Sequence, residues 1–372
     1  MKFFKYTTLA LLTASASLWL QSGAINAIAS RGQAAPVMTL QGRSATIASP
    51  NLQIAQAALQ SIQVQAVPTV GMTVSDMEQS IRFYTEVLSF QKISDVEVHG
   101  RDYERLQGVF GVRLRRVELQ LGDEVIELTQ YLTPQGRPIP GDSRSNDLWF
   151  QHIAIVVSDM DAAYARLRQF NVQHVSTGPQ TLPDSIPAAA GISAFYFQDP
   201  DGHNLEIIAY PEDKGDPRWQ SNESLFLGID HTAIGVADTA TSLAFYQDLL
   251  GLEVAGESMN FGTEQEHLNN VFGARLRISG LRAEGGIAVE FLDYLSPATG
   301  RPYPADSTPI DLWHWDITMT VADAEAAAQR LQQAGVPFIS SGVVELPNND
   351  FGFRKGFLVR DPDGHAVRII ER

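Results

Sequence analysis

The feature that most constrains this chain is that it is written twice. The run Gly136-Arg137-Pro138-x-Pro140-x-Asp142-Ser143-x-x-x-Asp147-Leu148-Trp149 returns 164 residues later as Gly300-Arg301-Pro302-x-Pro304-x-Asp306-Ser307-x-x-x-Asp311-Leu312-Trp313. Val109-Phe110-Gly111-x-Arg113-Leu114-Arg115 returns as Val271-Phe272-Gly273-x-Arg275-Leu276-Arg277, and Asp199-Pro200-Asp201-Gly202-His203 as Asp361-Pro362-Asp363-Gly364-His365. Nine identities in a fourteen-residue window are not chance, so residues 69–210 and 229–371 are duplicates. A chain of 372 residues, against a usual domain of ~100–200, is therefore two related domains with an N-terminal extension.

Each half carries a weaker repeat of its own. Four alternating apolar segments, starting at Thr69, His152, His231 and Asp316, read as strands and are spaced 83, 79 and 85 residues apart. Seven residues after each start stands an aspartate (Asp76, Asp159, Asp238, Asp323) where an N-cap carboxylate would accept from free backbone N–H groups. Helical periodicity follows, as in Met77, Ile81, Tyr84 and Leu88, and then further strands. Asp-Pro-Asp-Gly joins the last two strands of the second and fourth segments as a hairpin turn. The pattern is an α+β fold of four βαβββ modules: 69–132 and 149–210 in a first domain, 67–211, and 229–295 and 313–371 in a second, 227–372.

Composition removes whole classes of function. Lys plus Arg total 27 and Asp plus Glu 43, a net charge of −16, and such a surface lacks the cations that displace counterions from nucleic acid. Cysteine is absent, which excludes disulfides, thiol nucleophiles, iron–sulfur clusters and Cys-ligated zinc. At the N-terminus, Lys2 and Lys5 precede an apolar run to Leu20, and Ala27-Ile28-Ala29 supplies a cleavage pattern. Residues 1–29 therefore read as a secretory signal peptide, and the mature protein is expected to be periplasmic or secreted, with no membrane association after cleavage. Residues 30–66 read as a Ser/Ala/Gln-rich linker followed by a short helix beginning at Ser49-Pro50.

The four modules, the Phe83-Tyr84 and Phe245-Tyr246 pairs at one helical position, and the Asp-Pro-Asp-Gly endings resemble the vicinal oxygen chelate superfamily, which includes glyoxalases, extradiol dioxygenases, epimerases and bleomycin resistance proteins. The resemblance covers residues ~69–371 and implies modules that pair into cup-shaped curved sheets. It also implies one divalent metal, Zn, Ni, Mn, Fe or Co, whose ligands come from the first and last strands of each module. Those positions hold Thr69, His152, His231 and Asp316 on first strands, and Glu127, Glu206, Glu290 and Arg368 on last strands.

Two pairings are open. Modules joined as 1+2 and 3+4 give two incomplete sites. Modules joined as 2+3 and 1+4 gather His152, Glu206, His231 and Glu290 into one complete metal set. The other cup then holds Thr69, Glu127, Asp316 and Arg368, with Glu127 free to pair with Arg368. In the resemblance, a ligand carboxylate, Glu206 or Glu290, doubles as the catalytic general base for lyase or isomerase chemistry on a small vicinal-oxygen substrate. A non-catalytic binding protein of the resistance type and an extradiol-type dioxygenase are the alternatives. Because modules pair within one chain, a monomer suffices.

Other residues have plainer readings. His203 and His365 follow a turn glycine and are expected to be exposed. His314, two residues before Asp316, is a possible deputy ligand. Trp149, Trp313 and Trp315 fit packing between modules or the cup rims. Arg137 and Arg301 fit either a structural role in the connecting loop or recognition of an anionic substrate.

Overall fold

A computed structural model describes residues 61–298 and 300–372. The expected signal segment, the linker and nearly all of the expected N-terminal helix lie outside these residues. Ile62, where the apolar helical spacing Leu52, Ala55, Leu59, Ile62 would end that helix, is in irregular backbone and donates its N–H to Leu249 O at 2.8 Å.

The four modules form two nine-stranded mixed sheets, and each sheet draws one module from either half of the chain. In one, the first strands Ala66–Thr73 and Trp315–Thr320 pair antiparallel at the centre, with Thr69 opposite Thr318 and Gly71 opposite Asp316. In the other, Gln151–Val157 and Phe226–Val236 pair likewise, with His152 opposite Ala233 and His231 opposite Ala154. Modules 1 and 4 thus share one sheet, and modules 2 and 3 share the other. Each first strand also runs parallel to the last strand of its own module, which sets Ala154 beside Glu206 and Ala233 beside Glu290.

Alternation divides the residues of these strands between two environments. Ile153, Ile155, Ile207, Ile234 and Phe291 are buried in one large core shared by both sheets and the four module helices. His152, Glu206 and His231 project from the opposite faces of the same strands. The four helices start on the aspartates read as caps: Asp76, Asp159, Asp238 and Asp323 each accept a backbone N–H three residues on, at 2.8–3.0 Å.

The repeated motifs turn out to be one another's partners. Arg137 lies 4.7 Å from the Trp313 ring centroid and grips Asp311 with two bonds of 2.8 Å, while Arg301 lies 4.6 Å from the Trp149 ring and grips Asp147. This reciprocal clasp between the halves decides for the structural reading of Arg137 and Arg301. Trp149, Trp313 and Trp315 are buried beside it and line a cavity at that junction.

The expectation that His203 and His365 are exposed is wrong. Both are essentially fully buried, because the turn folds back on its own aspartates. Asp199 Oδ2 accepts from Tyr84 Oη at 3.1 Å and sits 2.9 Å from His203 Nδ1, and His203 Nε2 lies 2.8 Å from Leu312 O. Tyr246, Asp361 and His365 repeat the first two contacts at 3.0 and 2.9 Å. The Phe-Tyr helix of an odd module is thereby tied to the Asp-Pro-Asp-Gly-His turn of the following even one.

Both neighbours of the His203 ring are acceptors, so both ring nitrogens must carry protons. Burial opposes that charge, but Asp199 outweighs it and pushes the imidazole up to about 9. A raised value means the contribution to stability is complete below the ordinary value near 6.5 and is lost as pH climbs through about 9. Thermal unfolding should therefore show stability falling between pH 7 and 10, and His203→Gln should lower stability at pH 6 while flattening that fall. An unchanged slope in the variant would contradict the assignment.

Candidate metal centre

In the cup of modules 2 and 3, His152 Nε2 lies 3.0 Å from Glu206 Oε2, and His231 Nε2 lies 3.6 Å from the same oxygen and 3.6 Å from Glu290 Oε1. One ligand atom from each of His152, Glu206 and His231 falls within 4.8 Å of the others, the only such trio of potential ligands among the described residues. Glu206 and Glu290 line the same cavity of about 370 Å³. All four residues singled out in the sequence are therefore brought together in one place.

The imidazoles are set up as electron-pair donors. His231 Nδ1 lies 3.0 Å from Asp230 Oδ2, which fixes the proton on that nitrogen and turns Nε2 toward the carboxylates. Asp230 is itself held by Trp219 Nε1 at 3.1 Å and Arg282 Nη2 at 3.0 Å. His231 Nε2 and both nitrogens of His152 are buried and make no hydrogen bond of proper geometry. Unpartnered buried polar atoms cost on the order of 1–3 kcal/mol each, a cost that coordination would remove. The donor set of imidazole and carboxylate suits a divalent ion of the zinc-to-iron group.

Asp230 was not legible in the sequence, since the residue beside a strand histidine should point to the other face. The pairing register shifts between Ile229 and His231, and this bulge swings Asp230 to the histidine's side. The only available signal was the Asp-His dipeptide, to which module 2 gives no counterpart, having Gln151-His152.

The electrostatics separate the roles of these groups. Burial holds the His152 imidazole below its ordinary value, hence neutral. Burial also acts against protonation of His231, but the charges of Glu290, Asp230 and Glu206 overcome it and lift this ring to about 9. Glu290 is pushed up to about 7, first by burial and then by the Glu206 and Asp230 carboxylates, against the pull of His231.

The cup of modules 1 and 4 is filled. Arg368 Nη1 and Nη2 donate to Glu127 at 2.6 and 3.0 Å, and Nη2 donates to Asp316 at 2.7 Å. Arg116 reaches Glu127 at 2.7 Å and lies 4.8 Å from the Phe351 ring centroid. Thr69 spends its hydroxyl on Val125 O. Counted back from the equivalent strands Ser193–Gln198 and Lys355–Arg360, Phe351 and Phe353 stand where module 2 has Ala189 and Gly191. Two phenyl rings thus occupy the volume that the other cup leaves open. His314 is buried and held near 3, mainly by burial, and joins no ligand cluster among the described residues, so its reading as a deputy ligand fails.

A family profile described as the Glyoxalase/Bleomycin resistance protein/Dioxygenase superfamily matches residues 66–207 and again residues 228–369. The chain belongs to this superfamily. A relative within reach is 2-epi-5-epi-valiolone epimerase of Actinomyces sp, 34% identical over 165 residues, 42% of this chain and 85% of that protein. Lactoylglutathione lyase of Schizosaccharomyces pombe is 22% identical over 80% of this chain and 94% of its own length. Glyoxalase I from Zea mays superposes with a TM-score of 0.52 at 16% identity, covering 82% of this chain and 92% of that one, and so shares the fold. Members of the superfamily bind divalent metal ions and small-molecule substrates, which agrees with the donor set gathered in one of the two cups.

Proposed function

We propose that this protein is a metal-dependent enzyme of lyase or isomerase type, acting on a small substrate with two neighbouring oxygens. The observation that carries the reading is the convergence of His152, Glu206 and His231, with buried imidazole nitrogens that have no hydrogen-bond partner, on the floor of an open cavity. These residues and Glu290 would hold a divalent ion, which would supply Lewis-acid charge to the substrate oxygens. Glu290 takes the proton from the carbon beside the substrate carbonyl and returns it to the neighbouring carbon, while the hydroxyl proton passes between the two substrate oxygens. Asp230 keeps the His231 ring in the orientation that points Nε2 inward.

The test is proton exchange. Metal-loaded protein in D2O should place deuterium on the carbon next to the carbonyl of a 2-hydroxy ketone, followed by NMR, and Glu290→Gln should abolish the exchange while keeping the metal. Absence of exchange with any such ketone would favour sequestration over catalysis. A second reading has its own observation: the three tightest ligand atoms are two imidazoles and one carboxylate, the set used by oxygen-activating iron enzymes. Oxygen uptake by Fe(II)-loaded protein with catechols would establish that reading and overturn the first.

Because His231 holds a proton to about pH 9 without metal, loading must release it. Apparent zinc affinity should rise about tenfold per pH unit from pH 7 to about 9 and then level off, with a steeper rise below pH 7 where Glu290 also gives up a proton, as read by competition with a chelator. A flat profile would contradict this protonation. Export, proposed from residues 1–29, predicts a mature N-terminus at Ser30 by mass spectrometry of secreted or periplasmic material. Among the described residues no helix is long and apolar enough to cross a membrane.

A further inference from the structure

The metal cavity has a hydrogen-bonded row of polar side chains that two valines interrupt in its filled duplicate. Ser258 Oγ donates to Asn260 Oδ1 at 2.8 Å, Asn260 Nδ2 donates to Gln265 Oε1 at 2.9 Å, and Gln265 Nε2 donates to Asn269 Oδ1. The equivalent positions of the first half, matched by the pairs Phe261–Arg275 and His99–Arg113, are Val96, Val98, Tyr103 and Gln107. The hydroxyl and the first two amides line the cavity. Each amide oxygen in the row accepts one bond, and Asn260 and Gln265 each donate one N–H. What remains for a ligand is the second amide hydrogen of Asn260 and of Gln265 and the lone pairs of Ser258. Asn260 and Gln265 are buried, and burying such amides beside a cavity is costly unless a ligand or solvent meets them.

The rest of the lining narrows the ligand further. Leu182, Ala188, Ala189 and Ile192 come from the connection that leads into the strand Ser193–Gln198, toward the other side of the sheet, and form an apolar wall. Four carboxylates line the cavity (Glu206, Asp230, Glu257 and Glu290) against one guanidinium, Arg282, already bonded to Asp230 at 3.0 Å. A bound divalent ion still leaves one net negative charge, which repels an anionic substrate. The volume, about 370 Å³, sits at the low end of the ~300–1,000 Å³ usual for small-molecule sites.

We infer that the substrate is a neutral, hydroxyl-rich molecule of monosaccharide or cyclitol size, whose hydroxyls bind the Ser258–Asn260–Gln265 row while its C–H face lies on the apolar wall. This rests on the metal-site reading above, because the same cavity must hold the two oxygens that meet the ion. Asn260 and Gln265 are then specificity-determining residues with no part in proton transfer.

The test is calorimetry on the metal-loaded protein with two probes, the cyclic polyhydroxy ketone scyllo-inosose and the anionic S-lactoylglutathione. The inosose should bind saturably and the glutathione thioester should not. Asn260→Val, which installs the residue of the filled cup, and Gln265→Leu should each weaken inosose binding about tenfold, with metal content unchanged. Ser258→Ala, at a partly exposed position that does not threaten folding, should weaken it about threefold. Failure of inosose to bind, tighter binding of S-lactoylglutathione, or undiminished inosose affinity in the variants would each overturn the inference. Inosose binding that depends on Asn260 without any deuterium exchange would sink the proton-transfer reading and leave this one standing.

Discussion

Glu206→Ala should abolish metal binding and reduce turnover by roughly a thousandfold or more, since a Lewis acid contributes several kcal/mol to the transition state. Glu206 is the residue through which the site coheres: its Oε2 lies 3.0 Å from His152 Nε2 and 3.6 Å from His231 Nε2. Removing it leaves two imidazoles that face each other across 5.7 Å between ring centroids, with no carboxylate between them. The fold should survive, because Glu206 faces the cavity while its strand neighbours Leu205 and Ile207 remain in the core. Unfolding measured alongside metal content separates the two effects. A variant that keeps a stoichiometric metal and full turnover would remove Glu206 from the site.

The second large effect belongs to the filled cup and to stability alone. Arg368→Met should cost about 3–5 kcal/mol, the usual result of deleting one member of a buried ion pair. Glu127 keeps Arg116 at 2.7 Å, but Asp316 loses the cation at 2.7 Å and nothing replaces it. The double variant Arg368→Met/Asp316→Leu should recover most of the loss, since replacing buried ions by apolar groups of similar size is often neutral. Denaturant unfolding gives both numbers. An Arg368→Met protein as stable as the parent would show that this network contributes nothing, and metal content should stay unchanged in either variant.

How much of this could be read from the residues depends on how local each cause is. The modules, their caps and the four ligand positions follow from period and repetition, because alternation along a strand is a local rule. Whether modules join as 2+3 and 1+4 is not local, yet it was narrowed by asking which pairing keeps the intact ligands together. The βαβββ pattern requires the strands Gln91–His99 and Glu253–Phe261, but their positions are not legible because they are outer strands with mostly exposed residues and little apolar contrast. Asp230 was missed because a bulge breaks the very alternation used to find His231. His203 and His365 were misjudged because a turn glycine suggests solvent, whereas the aspartates they contact, Asp199 and Asp361, are tied to Tyr84 and Tyr246, 115 residues away in sequence. Phe351 and Phe353 read as ordinary loop aromatics until the second cup shows alanine and glycine in their place.

The most direct measurement is the number and location of metal ions in the purified, metal-loaded protein, by elemental analysis together with anomalous diffraction. One ion per chain is expected, bound among His152, Glu206 and His231, lost in Glu206→Ala and retained in Arg368→Met. Two ions per chain, or one lodged beside Glu127 and Asp316, would contradict the division of the molecule into one working cup and one filled cup.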